Sequence, residues 1–277
     1  MALAAVNGIE LSYERTGAGT AGEPLLLIMG MSGTMLHWGE PFLQLLRAEF
    51  DVIAYDHRGV GRSSRLEGVT SIPQLAEDAA GLLAALEVPR AHVLGISMGG
   101  MVAQELVLAD PELVCTLTLG CTYCGGPGAE HGDEETMRKL SLAMGSGDRA
   151  AALRASWEAN IGDGLLGDAA AYASFLEIAE EYAVALPVVM AQMRAVLRHD
   201  THDRLPSVRA PTLVLHGTAD RMLPVGNGRM IAELIPGAEL HTFEDVGHMF
   251  WWERPERSAE LVGAHSRAGA HGDGAVA

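Results

Sequence analysis

Short, continuous apolar runs recur along this 277-residue chain, and stretches with helical spacing separate them. Residues 24–30 (PLLLIMG), 50–56 (FDVIAYD) and 91–97 (AHVLGIS) are of the kind that is buried on both faces of a parallel sheet. Residues 9–17 (IELSYERTG) alternate instead between apolar and polar side chains. That alternation predicts a strand at an exposed edge of the sheet.

Helices are predicted between these strands. Residues 71–88 begin with Ser71 as a cap and Pro73 in the first turn, and their leucines share one face with Ala79. Further helices are predicted at 34–49 and 98–110, and further strands at 113–120, 211–217 and 238–247. This alternation predicts an α/β fold with a doubly wound parallel sheet and right-handed crossovers.

The pattern changes after Gly128. Residues 129–205 contain several helical stretches and no convincing strand, which predicts an all-helical insertion. The α/β pattern resumes beyond it, so the predicted core consists of residues 1–128 and 206–267. The segment 268–277 (AGAHGDGAVA) is small and unpatterned, and a disordered tail is predicted there.

One serine stands where a strand gives way to a helix. Residues 95–99 (GISMG) fit the pattern G-x-S-x-G, and this strand–turn–helix setting is the one that a nucleophile elbow needs. The flanking glycines remove side chains that would clash in so tight a turn. The same turn directs the Met98 amide towards whatever Ser97 attacks.

A serine nucleophile needs a base that is oriented by an acid. His248 follows the last predicted strand at a loop tip, which separates it from the other ten histidines. Asp220 follows the buried strand 211–217. An acid after the preceding strand is excluded, since no carboxylate lies between Glu112 and Glu130. The predicted order along the chain is therefore Ser97, Asp220, His248.

A second backbone donor is predicted for the oxyanion of the reaction. After the first long buried strand, Gly30 allows a turn, and Met31 can present its N–H beside that of Met98. No metal or organic cofactor is needed for this chemistry.

Together these motifs resemble the serine-dependent α/β-hydrolase superfamily, over about residues 6 to 265. Residues 55–64 (YDHRGVGRSS) resemble its loop after the fourth strand, where Arg58, Gly59 and Gly61 are expected to be structural. The resemblance implies a mostly parallel eight-stranded sheet, with residues 129–205 as a helical lid, called the cap below. Met29 stands where many members carry histidine, and Met-Gly here is similar to the methylesterase and enol-lactonase-like branches.

Apolar side chains flank the candidate site, and methionine-rich surfaces adapt to irregular apolar ligands. No lysine or arginine is obviously placed to meet an anionic substrate, so a neutral, apolar or aromatic acyl or alkoxy group is predicted. The predicted pocket residues are Gly30, Met35, Trp38, Met144, Trp157, Met190, Met193, Met249 and Phe250.

The predicted function is a serine hydrolase that cleaves a carboxylic ester or lactone through an acyl-enzyme. The same triad is compatible with hydrolysis of a carbon–carbon bond in a ring-cleavage product, and with perhydrolysis. Resembling families that act on epoxides or haloalkanes carry aspartate where this chain has Ser97. A hydrolase-fold receptor for a small ligand is the alternative outside enzymes, and slow turnover beside tight binding would identify it.

Charge and cysteine content exclude several other classes. Nineteen basic and 36 acidic residues give a net charge of −17, which disfavours nucleic acids and anionic membranes as partners. Three cysteines are too few for a disulfide framework, and the pair Cys121–Cys124 lacks the second pair of a zinc site. His199 and His202 likewise lack completing ligands. A cytoplasmic enzyme is expected, either monomer or homodimer.

Overall fold

The computed structural model describes residues 1–17 and 22–272, and its strands form one eight-stranded sheet in the order β1-β2-β4-β3-β5-β6-β7-β8. The strands are β1 (Ala2–Val6), β2 (Ile9–Thr16), β3 (Pro24–Ile28), β4 (Asp51–Tyr55), β5 (Ala91–Ile96), β6 (Val114–Gly120), β7 (Thr212–Gly217) and β8 (Glu239–Phe243). The β1–β2 and β2–β4 pairs are antiparallel, and all other pairs are parallel. The predicted mostly parallel sheet is confirmed.

The edge of the sheet differs from the prediction. β1 pairs with β2 on its outer side, so β2 is the second strand and not the edge strand. The sequence ALAAV of β1 gave no sign of this, because alanine has little strand preference and the segment lacks clear alternation.

Helices connect the strands in the expected places. They are α1 (Glu40–Arg47), α2 (Ile72–Ala85), α3 (Met98–Ala109), α4 (Glu134–Gly145), α5 (Arg149–Asn160), α6 (Asp163–Leu166), α7 (Ala169–Glu181), α8 (Leu186–Val196), α9 (Val225–Leu234), α10 (Phe250–Glu253) and α11 (Pro255–Gly272). The single helix predicted over 34–49 is divided at Gly39, which has a φ of 72° and ends a short 3-10 turn before α1 begins.

The core lies on both faces of the sheet. One apolar cluster joins β-strand side chains to α2, α3 and α9. The other joins the opposite face to α1 and α11. Because both faces are covered, the central strands are buried almost throughout, which is why they were continuous apolar runs in the sequence.

The helices α4 to α8 lie between β6 and β7, in the segment predicted as the cap. At the C-terminus, α11 continues to Gly272, so the predicted disordered tail is wrong for residues 268–272. Residues 273–277 lie outside the described residues. Among the helices that the structure describes, none is long and apolar enough to span a bilayer.

Candidate active site

Ser97 occupies a strained turn between β5 and α3. It has a φ of 53° and a ψ of −124°, angles that a side-chain-bearing residue adopts only under constraint from its surroundings. A Cβ at Gly95 would collide with the Gly99 carbonyl, and one at Gly99 would collide with the Ile28 carbonyl. The two glycines of the motif are thus required by the close approach of backbone to backbone.

Hydrogen bonds to β6 and to the segment that follows β6 fix the Ser97 backbone. Its N–H donates to the Gly120 carbonyl over 2.9 Å. Its carbonyl accepts from the Thr122 hydroxyl over 2.7 Å. Ser97 itself is only partly buried, so its hydroxyl stays accessible while its backbone is fixed.

Asp220 and His248 form a buried pair beyond the ends of β7 and β8. The Asp220 Oδ2 to His248 Nδ1 distance is 2.7 Å, and each residue is 6% exposed. The other carboxylate oxygen, Oδ1, accepts from the N–H groups of Met222 and Leu223 at 2.8 and 2.9 Å. Since an ionised carboxylate only accepts, Nδ1 of His248 carries the proton and Nε2 is left as the basic nitrogen.

His216 is a member of this cluster that the sequence interpretation missed. Its Nε2 donates to the Leu223 carbonyl at 2.7 Å and lies 3.3 Å from Asp220 Oδ2. It precedes Asp220 by four residues in VLHGTAD, which was the available signal.

The charges of the pair shift both pKa values. Burial by itself raises the pKa of Asp220, but His248 and His216 outweigh burial and hold it below its usual range. For His248, burial lowers the pKa, yet the neighbouring Asp220 carboxylate raises it well above 6.5. Each residue therefore favours the charged form of the other.

Cys121 directly follows β6, which lies between β5 and β7 in the sheet, and it adjoins Asp220 and His248. Its sulfur, an Asp220 carboxylate oxygen and a His248 nitrogen lie within 4.8 Å of one another. Burial raises the pKa of the Cys121 thiol, which keeps it neutral. A neutral thiol beside a carboxylate and imidazole that are bonded to each other is a poor cation site.

No hydrogen bond joins Ser97 Oγ to His248 in the part of the chain that the structure describes. Such contacts are often long without substrate and tighten when it binds. The hydroxyl is instead close to the turn after β3, where a Cβ on Gly30 would lie 3.6 Å from Ser97 Oγ.

The turn at residues 30–33, called the oxyanion loop below, places Gly30 against Ser97, and Met31 is the next residue. Within the described residues, neither the Met31 N–H nor the Met98 N–H has a hydrogen-bond partner. Two unpaired backbone donors beside a serine hydroxyl are what a developing oxyanion requires.

His57 and Asp56 support the oxyanion loop in place of the histidine that Met29 replaces. His57 Nε2 donates to the Met29 carbonyl over 2.9 Å, and burial lowers the His57 pKa and keeps the ring neutral. The Asp56 carboxylate accepts from the Met35 N–H at 2.7 Å. Both follow β4 in the YDHRG segment, where only Arg58 and the glycines were singled out from the sequence.

The structure places the predicted pocket residues in several different regions. Gly30 adjoins Ser97, and Met249 follows His248. Trp38, Trp157 and Phe250 are fully buried core residues. Met35 is also buried and lines a cavity of about 200 Å³ between α7, β2 and β4, to whose lining none of Ser97, Asp220 and His248 contributes.

Met144, Met190 and Met193 are exposed residues of the cap, with 36 to 46% of each residue exposed. In α8 the buried residues are Val188, Val189, Ala191, Gln192 and Ala195, and Met190 and Met193 lie on the more exposed side of the helix. Their assignment to the pocket stays a prediction.

The chain is similar to known proteins over most of its length. The model of the alpha/beta hydrolase family matches residues 25–261. The chain belongs to this family. The expected resemblance is confirmed, and hydrolase chemistry comes with it.

The relatives of the chain are named for different hydrolytic reactions. It is 33% identical to the putative carbamate hydrolase RutD of Azorhizobium caulinodans, covering 91% of this chain and 93% of the relative. It is 30% identical to the rhodomycin D methylesterase DauP of Streptomyces sp., covering 90% and 92%. The enol-lactonase of Burkholderia xenovorans has a TM-score of 0.81 and 25% identity, covering 95% of this chain and 99% of that one.

Proposed function

We propose that this hydrolase cleaves a neutral carboxylic ester or lactone through an acyl-enzyme on Ser97. The observation that carries the proposal is the conjunction of a strained, accessible serine with a buried Asp–His pair whose free nitrogen is basic. Two unpaired amides beside the same hydroxyl complete the requirements of acyl transfer.

The proposed reaction has two steps. His248 Nε2 takes the proton of Ser97 Oγ as the oxygen attacks the carbonyl carbon, and the carbonyl oxygen becomes an oxyanion between the Met31 and Met98 amides. The imidazolium then protonates the leaving alkoxide, so the C–O bond breaks and the acyl group stays on Ser97. Water, deprotonated by the same histidine, releases the acid. Each amide is expected to lower the barrier by about 3 kcal/mol.

The neutral substrate follows from the charges near the site. Arg221 directly follows Asp220, but its guanidinium pairs with Asp163 of the cap at 2.7 Å and donates to the Glu158 carbonyl. Arg58, which follows His57, pairs with the buried Asp78 at 2.6 Å. These two cations are therefore committed to structural partners and are not available for a substrate carboxylate.

The test is intact-mass analysis after treatment with a fluorophosphonate. Wild type is expected to gain one adduct, and Ser97→Ala none. Ser207→Ala is the matched control, since it removes an exposed serine hydroxyl outside the candidate site and retains Ser97, and it is expected to form the adduct. No adduct on folded wild type would contradict the proposal and favour a ligand receptor.

Substrate class is tested separately, with unlabelled enzyme from a preparation whose Ser97 reacts with the fluorophosphonate. Neutral aryl and methyl esters are expected to be cleaved faster than a matched hemisuccinate ester. A carbamate of the same alcohol distinguishes the chemistry of the RutD relative, and faster turnover of the carbamate than of the ester would overturn the ester assignment.

A further inference from the structure

Gln192 is a cap residue that reaches the oxyanion loop. It lies on the inward face of α8 and is 1% exposed. Its side-chain Oε1 accepts from the Ser32 N–H over 2.8 Å, across 160 residues of chain. Ser32 directly follows Met31, so a cap side chain holds the residue next to a proposed oxyanion donor.

The core fixes α8 on both sides of Gln192. One turn before it, Val188 packs so closely on Gly59 that a Cβ there would lie 3.0 Å from the valine Cγ1. One turn after it, the Val196 carbonyl accepts from the Tyr123 hydroxyl over 2.6 Å. Gln192 is thereby presented to the loop from a supported stretch of helix.

Ser32 needs an external partner because of its conformation. Its φ is 56°, in the left-handed region that serine seldom adopts. Its hydroxyl donates to the Met31 carbonyl over 2.7 Å, which occupies the side chain within the loop. The backbone N–H is therefore satisfied by Gln192, and this bond opposes relaxation of the strained residue.

The other half of the Gln192 carboxamide has no partner. Its Nε2 is buried and makes no hydrogen bond within the described residues. An unmade buried hydrogen bond destabilises a fold. Leucine or methionine would remove that cost but would leave the Ser32 N–H without its acceptor, so the two effects oppose each other and stability alone does not favour glutamine at this position.

We propose that Gln192 is a positioning residue that sets the oxyanion loop from the cap. It acts through Ser32 on the direction of the Met31 N–H, and the inference rests on the proposed acyl-transfer function. The loop is then correctly set only while α8 is seated on the core.

The experiment compares a neutral aryl benzoate with its thionobenzoate analogue. Sulfur accepts hydrogen bonds weakly, so the oxo ester depends on the oxyanion donors more than the thiono ester does. Gln192→Met and Gln192→Leu are expected to lower kcat/KM for the oxo ester about tenfold. The ratio of kcat/KM for the oxo ester to kcat/KM for the thiono ester should also fall. The melting temperature of both variants should stay close to that of wild type.

Val189→Ala is the matched control, because it removes a buried cap side chain from α8 and leaves the Gln192–Ser32 bond intact. It is expected to change both rates by the same factor and to leave the ratio unaltered. An unchanged ratio in both Gln192 variants would overturn the inference while leaving the proposed function intact. Loss of fold in both variants would make Gln192 a structural residue, which also overturns it. A wild type that cleaves neither ester would overturn the proposed function itself.

Discussion

At the residue scale, burial is the property that most strongly affects the Asp220–His248 pair. Both side chains are removed from water, and the carboxylate accepts from two backbone N–H groups and the His248 imidazole, with His216 Nε2 3.3 Å away. In that environment the mutual stabilisation of opposite charges is strong, since solvent does not screen it. Protonation of His248 is consequently coupled to the charge of Asp220.

This coupling predicts the pH dependence of catalysis. The base must be neutral, so kcat/KM should rise with pH along a limb whose midpoint lies above 6.5, the ordinary pKa of histidine. In Asp220→Asn the carboxylate is lost and burial dominates, so the His248 pKa should fall below 6.5. NMR titration of the imidazole measures both values, and equal pKa values in the two proteins would contradict the prediction.

At the element scale, the cap is bonded to three of the loops that carry the candidate site, those of Met31, Asp220 and His248. Gln192 holds the oxyanion loop, and Arg221 beside Asp220 pairs with α6. The histidine loop is the most tightly joined. The cap segment 160–162 leaves no room for a side chain on Gly247, and the Asn160 carbonyl accepts from the Met249 N–H. The cap is thus part of the framework of the site as well as its cover.

Glu253 is the side chain on which this junction depends. Its Oε1 accepts from the N–H of Gly162 in the cap at 2.9 Å and from the N–H of Gly247 in the histidine loop at 2.8 Å. Glu253→Ala leaves two buried donors unpaired and should lower the free energy of unfolding by about 3 kcal/mol.

Glu253→Gln retains the accepting oxygen and is the matched control, with an expected loss below about 1 kcal/mol. Urea unfolding monitored by fluorescence measures both. Equal destabilisation of the two variants would show that the charge, and not the accepting oxygen, joins the cap to the histidine loop.

Helices and strands were predicted correctly where burial and the local sequence pattern agreed. The prediction failed where contacts with neighbouring elements determined the structure. Continuous apolar runs identified the central strands, and the serine motif identified the β5–α3 turn. Strand β1 was missed because its strand character comes from pairing with β2. The Gly39 break and the length of α11 likewise depend on what packs around them.

At the scale of the whole molecule, sheet order brings the candidate residues together. β3, β5, β6, β7 and β8 are successive neighbours, and their carboxyl ends meet at one edge. Residues separated by up to 218 positions, from Gly30 to His248, are assembled there. Stability of the sheet is therefore a condition for the site to exist.

Asp56 directly follows β4, and its ionisation predicts how the free energy of unfolding varies with pH. Burial raises its pKa from 3.8 to about 6, although the N–H groups of Met35 and Arg62 act in the opposite direction. Between these values the folded state binds more protons than the unfolded state, so the contribution of Asp56 to stability falls as pH rises.

The prediction is measured against Asp56→Asn, which keeps an accepting oxygen but does not titrate. The free energy of unfolding of wild type, relative to the variant, should decrease by about 2 kcal/mol from about pH 4 to about pH 7. Chemical denaturation at several pH values provides the difference. A relative stability that increases with pH would contradict a raised pKa.

Sequence alone was sufficient for the superfamily, the sheet and the candidate residues Ser97, Asp220 and His248. Each of these depends on local information: hydrophobic period, turn-forming glycines, and residue types placed after predicted strands. Their catalytic roles stay predictions until Ser97 is tested by labelling.

Tertiary structure alone decided what surrounds those residues. The contacts of His57 with Met29, of His216 with Asp220, and of Gln192 with Ser32 join elements that the chain separates or presents in no recognisable motif. The exposure of the cap methionines was also decided there, since apolar composition does not state which face of a helix meets the core. Such contacts arise from the packing of whole elements, and packing depends on all residues of both partners at once.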